Sequence, residues 1–188
     1  EFGVAEQEAA EQSGRDAYAL LLDNMGDAPA IPLVLPYFTP SGTPYFDVDA
    51  TGAILGLRLS TGRYEVLRAL LEGVAFEMRL NLDILERSAG PIRELRIIGG
   101  GAKSERWNQL KADVLGKSLT ALNITEAGCL GVALLARTAL TGESIDELTR
   151  RWVTPVAVYQ PRDEHRTWYN ERFELYRQLY PALQNFRL

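Results

Sequence analysis

The chain reads as an α/β protein, a mixed sheet flanked by helices, and three observations carry that reading. Leu95, Arg96, Ile97 and Ile98 run straight into Gly99, Gly100 and Gly101, and a polar stretch that can open a helix follows. Residues 64–87 carry apolar side chains at a 3.6-residue period, among them Val66, Leu67, Leu70, Leu71, Val74, Met78 and Leu82. Short β-prone runs alternate with such helical stretches along the chain, an order that builds a sheet covered by helices.

Residues 3–24 read as one helix, rich in Glu, Gln and Ala. Residues 26–46 hold Pro29, Pro32, Pro36, Pro40 and Pro44, so the apolar stretch 31–38 within them is a buried extended segment or an edge strand. Residues 52–59 alternate as a short strand, with Ser60 or Thr61 placed to cap the long helix over 64–87. Gly90 and Pro91 end that helix. A strand over 94–98, a helix over 104–115, a strand over 119–122 and a small-residue helix over 126–140 follow. Ser144 and Glu147 form a capping box. The last helix, 164–183, lines up Trp168, Tyr169, Phe173, Tyr176, Leu179 and Tyr180 on a common side.

Composition narrows the functional classes. The 188 residues carry a formal charge of −5, with no basic stripe to neutralise phosphates along a nucleic acid. One cysteine, Cys129, and one histidine, His165, cannot make a conventional zinc site, and no metal site is expected. The lone cysteine and the lack of any long apolar run point to a cytoplasmic protein with no membrane contact.

Strand, glycine turn and helix start form a geometry that lets backbone approach a phosphate or ribose, because glycine has no Cβ in the way and free N–H groups favour negative charge. The run matches neither GxGxxG nor the P-loop pattern, and a turn that merely closes a strand–helix connection is an equal alternative at this point. Ala127, Gly128, Gly131 and Ala133 give small residues at spacings of three and four, read as close helix packing or as a helix starting beside a nucleotide. Glu72 lies on the apolar side of the long helix, and Asp47 and Asp49 read as loop caps rather than metal ligands.

Four segments, in order, resemble the C-terminal half of the FGGY-type carbohydrate kinases, the family of xylulokinase, glycerol kinase and fuculokinase. They are Leu35, Pro36, Tyr37 with Thr43, Pro44, Tyr45 and Asp47; Gly52, Gly56, Leu57 with Arg68, Ala69, Glu72, Gly73, Ala75 and Phe76; the glycine turn with Trp107, Gln109, Ala112 and Asp113; and Glu126, Ala127, Gly128, Gly131 and Ala133. Many xylulokinases carry a His before the signature arginine where this chain reads Thr61, Gly62, Arg63, so the resemblance is to the broader family.

The resemblance implies an actin-like ATPase (ribonuclease H-like) second domain, residues 1–188 forming an N-terminally truncated nucleotide-binding domain. It implies ATP and Mg²⁺, with a sugar or polyol substrate held through a missing N-terminal domain that also supplies the catalytic base, so no catalytic residue is expected in this chain and Glu72 takes a structural role, pairing with Arg63 or Arg68. A non-catalytic ATP-binding or interaction module of the same fold is the alternative. The nucleotide-binding residues it implies are Gly99, Gly100, Gly101, Ala102, Ser104 and Glu105, with Gly99 also serving the turn and Ser104 also capping the next helix. A homo-oligomer is a further expectation; the C-terminal aromatic cluster reads as core or interface, with Trp168, Tyr169, Phe173 and Tyr176 as contact candidates in the second case.

Overall fold

The computed structural model describes residues 3–185. The single N-terminal helix expected over 3–24 is two: α1 (Val4–Ser13) and α2 (Ala17–Asn24). Gly14 adopts a left-handed φ of 68° that ends α1, and the Asp16 carboxylate then accepts from the Ala19 N–H to start α2. Leu33–Leu35 forms β1, fully buried, and pairs antiparallel with β2 (Ala53–Leu55). The strand expected over 52–59 is shorter because Gly56 turns to φ 81°.

Helix α3 (Arg63–Ala89) is the longest element, and its start is capped by neither expected side chain. Gly62 is the N-cap residue, while the Thr61 hydroxyl instead accepts from the Arg58 N–H. Strand β3 (Glu94–Ile97) leads into the glycine turn, a single 3₁₀ turn over Gly100–Lys103, and then α4 (Glu105–Leu115). Strand β4 (Ser118–Leu122), α5 (Ala127–Thr141), α6 (Ile145–Trp152), β5 (Pro155–Tyr159) and α7 (Asp163–Leu183) complete the chain. At α6 the Ser144 hydroxyl accepts from the Asp146 N–H, one residue earlier than a capping box requires. Strand β5 has no counterpart in the sequence reading; Pro155 hides its start.

The second sheet has the order β3–β4–β5, with β3 parallel and β5 antiparallel to β4. Alternation along the strands puts Leu95, Ile97, Leu119 and Tyr159 on the face packed against Leu82 of α3 and Ala112 and Leu115 of α4. The opposite face exposes Arg96, Val156 and Val158.

The larger core lies between α3, α4, α7 and β1. It joins Phe76 and Leu80, Leu110 and Val114, Tyr169, Phe173 and Tyr176, and Leu33 and Leu35. Three of the four aromatic residues expected at a contact surface are therefore interior: Tyr169, Phe173 and Tyr176 are buried around Phe76, and only Trp168 reaches the surface. The helix period fixes which residues share a face, and α3 and α4 claim that face before any partner can.

Candidate functional site

The glycine turn is built by its flanks. Gly99 takes a φ of 88°, a region that L side chains rarely adopt, so this is the position where the chain needs glycine for its backbone. Its N–H donates to the Ile124 carbonyl at 3.1 Å and its own carbonyl accepts from the Ala102 N–H at 3.1 Å. Gly100 and Gly101 have ordinary φ values, and a Cβ added at Gly100 would meet nothing within 4 Å. At Gly101 a Cβ would rest 3.6 Å from the Trp107 ring, an ordinary contact. Ser104 caps α4, its hydroxyl accepting from the Trp107 N–H at 3.2 Å.

The turn opens on a cavity of about 980 Å³ whose far wall is α2. Gly100, Gly101, Ser104 and Glu105 line it, joined by Lys103, Arg106 and Trp107. Arg15, Tyr18, Leu22 and Asp23 face them from the α2 side. Gly99 and Ala102 do not line it: Gly99 serves the turn, and the Ala102 carbonyl points inward to the Asn108 amide at 2.7 Å. The α2 wall was not legible in the sequence, since some eighty residues separate it from the turn and no local pattern marks the pairing.

Salt bridges hold the two walls together. Arg106 of α4 reaches Asp23 at 3.1 Å and Asp27 at 3.6 Å, and Arg15 meets Asp23 at 2.5 Å. The hydrogen bonds from Arg15 and Arg106 hold the Asp23 carboxyl below its usual range. Lys103 makes no ion pair among the described residues and stands as a cation at the cavity's rim.

Behind the α2 wall lies a buried ionic cluster. Glu72 pairs with Arg68, as one of the two expected partners, at 2.8 Å, and both side chains are almost inaccessible. The Tyr169 hydroxyl donates to Glu72 at 2.9 Å, the Ala30 N–H donates to it at 3.2 Å, and Arg68 donates to the Gly26 carbonyl at 2.7 Å. The cluster therefore fastens residues 26–30, the connection leaving α2, to α3 and α7. Arg63, the other expected partner, pairs with Glu6 of α1.

The remaining candidates fall elsewhere. Asp47 accepts from the Asp49 N–H at 3.0 Å and from the Tyr180 hydroxyl at 2.8 Å, a loop cap tied to α7. Asp113 accepts from Arg162 side chain and backbone and from Gln109, joining α4 to the start of α7. Gly128 and Gly131 of α5 have nothing within 4 Å of an added Cβ, so the close helix packing expected there is not realised among the described residues. α5 does not line the cavity either. Among the described residues no group of three His, Cys, Asp or Glu side chains is placed to hold a metal ion, and no helix is long and apolar enough to cross a membrane.

Comparison with known proteins agrees with this architecture. Residues 1–140 match the model of the FGGY family of carbohydrate kinases, C-terminal domain. The chain is 27% identical over 163 residues to xylulose kinase of Bacillus subtilis, covering 82% of this chain and 33% of that protein. It is 36% identical over 120 residues to glycerol kinase 2 of Saccharolobus solfataricus, covering 63% and 24%. A xylulose kinase structure from Brucella ovis superposes with a TM-score of 0.80 at 28% identity, over 97% of this chain and 38% of that one. Plasmodium falciparum glycerol kinase, solved with ADP, shares the fold at a TM-score of 0.71 and 23% identity, over 92% and 36%. The chain thus spans about a third or less of the length of these curated relatives. Its fold is that of the actin-like ATPase second domain, a mixed sheet flanked by helices. The chain belongs to the FGGY family of carbohydrate kinases and corresponds to the family's C-terminal domain.

Proposed function

We propose that this chain is the ATP-holding domain of a kinase that transfers the γ-phosphoryl group of ATP to a sugar or polyol hydroxyl. The observation that carries the reading is the cavity of about 980 Å³ that Gly100 and Gly101 line, with nothing within 4 Å of a Cβ added at Gly100 and the Trp107 ring beside Gly101. In this reading Gly99, Gly100, Gly101, Ala102, Ser104 and Glu105 form the nucleotide segment. Gly100 and Gly101 lie against the adenosine and α-phosphate, Lys103 adds positive charge, and Gly99 and Ala102 shape the turn from behind.

Phosphoryl transfer depends on positioning and on neutralising charge more than on covalent chemistry by the protein. This chain's part is to hold the nucleotide in one orientation while the catalytic base, the phosphate loops and the sugar contacts come from the rest of a longer protein. Two domains closing on their substrates would exclude water from the reaction. Mg²⁺ would enter on the ATP phosphates: the carboxylates beside the turn do not form a metal site, since Asp23 is held by two arginines. A cytoplasmic setting fits the exposed free thiol of Cys129.

The test is a coupled ADP-release assay on the intact protein with a panel of pentoses, hexoses and polyols. ADP release that depends on one of them is expected. Gly101→Val is expected to raise KM for ATP about tenfold, because its side chain crowds the Trp107 ring on the cavity wall rather than straining the turn, and to leave KM for the sugar unchanged. Absence of turnover together with absence of ATP binding by calorimetry refutes the reading.

A further inference from the structure

We propose that Asn108 is the positioning residue of the nucleotide site: it pins the Ala102 carbonyl into the protein and so keeps Gly100, Gly101 and Lys103 presented to the cavity. The inference rests on the nucleotide reading above and assigns the residue that holds that site in shape.

Asn108 sits in the first turn of α4, where its side chain is completely buried. Its amide nitrogen donates to the Ala102 carbonyl at 2.7 Å, while its Oδ1 is buried and has no hydrogen-bond partner. A buried amide satisfied on one side only is less stable than an apolar side chain of the same shape would be. Packing alone therefore gives no reason for asparagine at this position. The one bond it makes goes to the turn.

The other bonds of the turn lie at its entrance. Gly99 donates to Ile124 and Ala102 donates to Gly99, which fixes where the turn begins. The exit, Ala102 and Lys103, is held from below by Asn108, and no other side chain bonds residues 99–103 among the described residues. The pattern of exposure follows. Gly100, Gly101 and Lys103 line the cavity, and Ala102 between them does not. Without the Asn108 donor, the Ala102 carbonyl loses its interior partner and the exit of the turn is free to rotate. Its oxygen can then reach the space where the turn must accept negative charge.

The test compares Asn108→Leu and Asn108→Ala with wild type in the intact enzyme. Asn108→Leu keeps the branched shape at a somewhat larger volume and removes both the donor and the orphaned oxygen, so thermal stability is expected to stay close to wild type. KM for ATP is expected to rise about tenfold, with kcat and KM for the sugar within about twofold of wild type. Asn108→Ala removes the donor without adding volume and is expected to show the same ATP-selective rise with some loss of stability; it carries the test should N108L not fold. In both variants, amide hydrogen exchange at residues 100–103 of the ligand-free enzyme should quicken relative to the rest of α4. A fall in stability with both KM values unchanged, or equal rises in both, overturns the proposal and leaves the nucleotide reading standing. A wild-type enzyme that neither binds nor turns over ATP overturns both.

Discussion

Gly73 of α3 and Val34 of β1 meet backbone to side-chain position: a Cβ at Gly73 would lie 2.5 Å from the Val34 carbonyl oxygen and 3.2 Å from its Cβ. This contact sets how closely the long helix approaches the buried strand. It places the Arg68–Glu72 pair, on the turn before Gly73, where it can grip the connection from α2.

Gly73→Ala tests that contact. Alanine favours the helix by about 1 kcal/mol over glycine. The clash is with backbone, which cannot rotate away, so a net loss of about 2 kcal/mol is expected. Chemical denaturation of the isolated chain reads it, and a variant as stable as wild type would show that α3 can slide from β1 freely.

Arg68→Met leaves the Glu72 carboxylate buried without its guanidinium. Loss of one partner of a buried pair costs about 3–5 kcal/mol. Burial already pushes Glu72 upward, with Arg68 the chief opposing influence, so the variant's folded carboxyl lies well above its unfolded value. The folded state then holds the proton more tightly, and stability falls as pH rises between those two values. The variant should be closest to wild type near pH 4 and furthest from it at pH 8. A destabilisation independent of pH would contradict this.

Lys111 is buried against the face of Trp107, 5.2 Å from the ring centre, and burial lowers its ammonium to about 8. In the unfolded chain it titrates near 10.4. Between those values the unfolded state binds more protons, so wild-type stability should rise with pH from about 8 to about 10. Lys111→Met is expected to stabilise the fold by about 1 kcal/mol at pH 7 and to flatten that rise. Thermal unfolding across this range checks both.

The isolated chain is expected to self-associate through the uncovered face of its second sheet, where Val156 and Val158 are 63% and 56% exposed, rather than through the interior aromatic cluster. Sedimentation at tens of micromolar should show dimers or larger species. Val156→Lys with Val158→Lys should shift them to monomer, and a monomeric wild-type chain would end the idea.

The same isolated chain should release no ADP with any sugar, because aligned groups supplied from elsewhere contribute orders of magnitude to transfer. Turnover above background would place the reacting groups within these residues.

Local signals located most elements, and their failures have identifiable causes. The 3.6-residue period of α3 and the strand–turn–helix of residues 94–115 were legible because each is written in neighbouring residues. The break between α1 and α2 is marked only by Gly14 and Asp16, between a Glu-, Gln- and Ala-rich run and an Ala- and Leu-rich one that both favour helix. Strand β5 is not legible locally because it is an edge strand with exposed valines beginning at a proline.

By itself the sequence determined the α/β class, the family through four ordered segments, and the strand–glycine turn–helix of residues 94–115. Each of these is encoded within a few residues of itself. Tertiary structure alone decided that α2 forms the opposite wall, that Arg68 rather than Arg63 pairs with Glu72, and that Tyr169 joins them. It also decided that Asn108 holds Ala102. The choice between two arginines, and the pairing of a helix with a turn some eighty residues away, depend on how α3 and α7 pack. Packing is set by the shape of surfaces that meet only once the chain has folded.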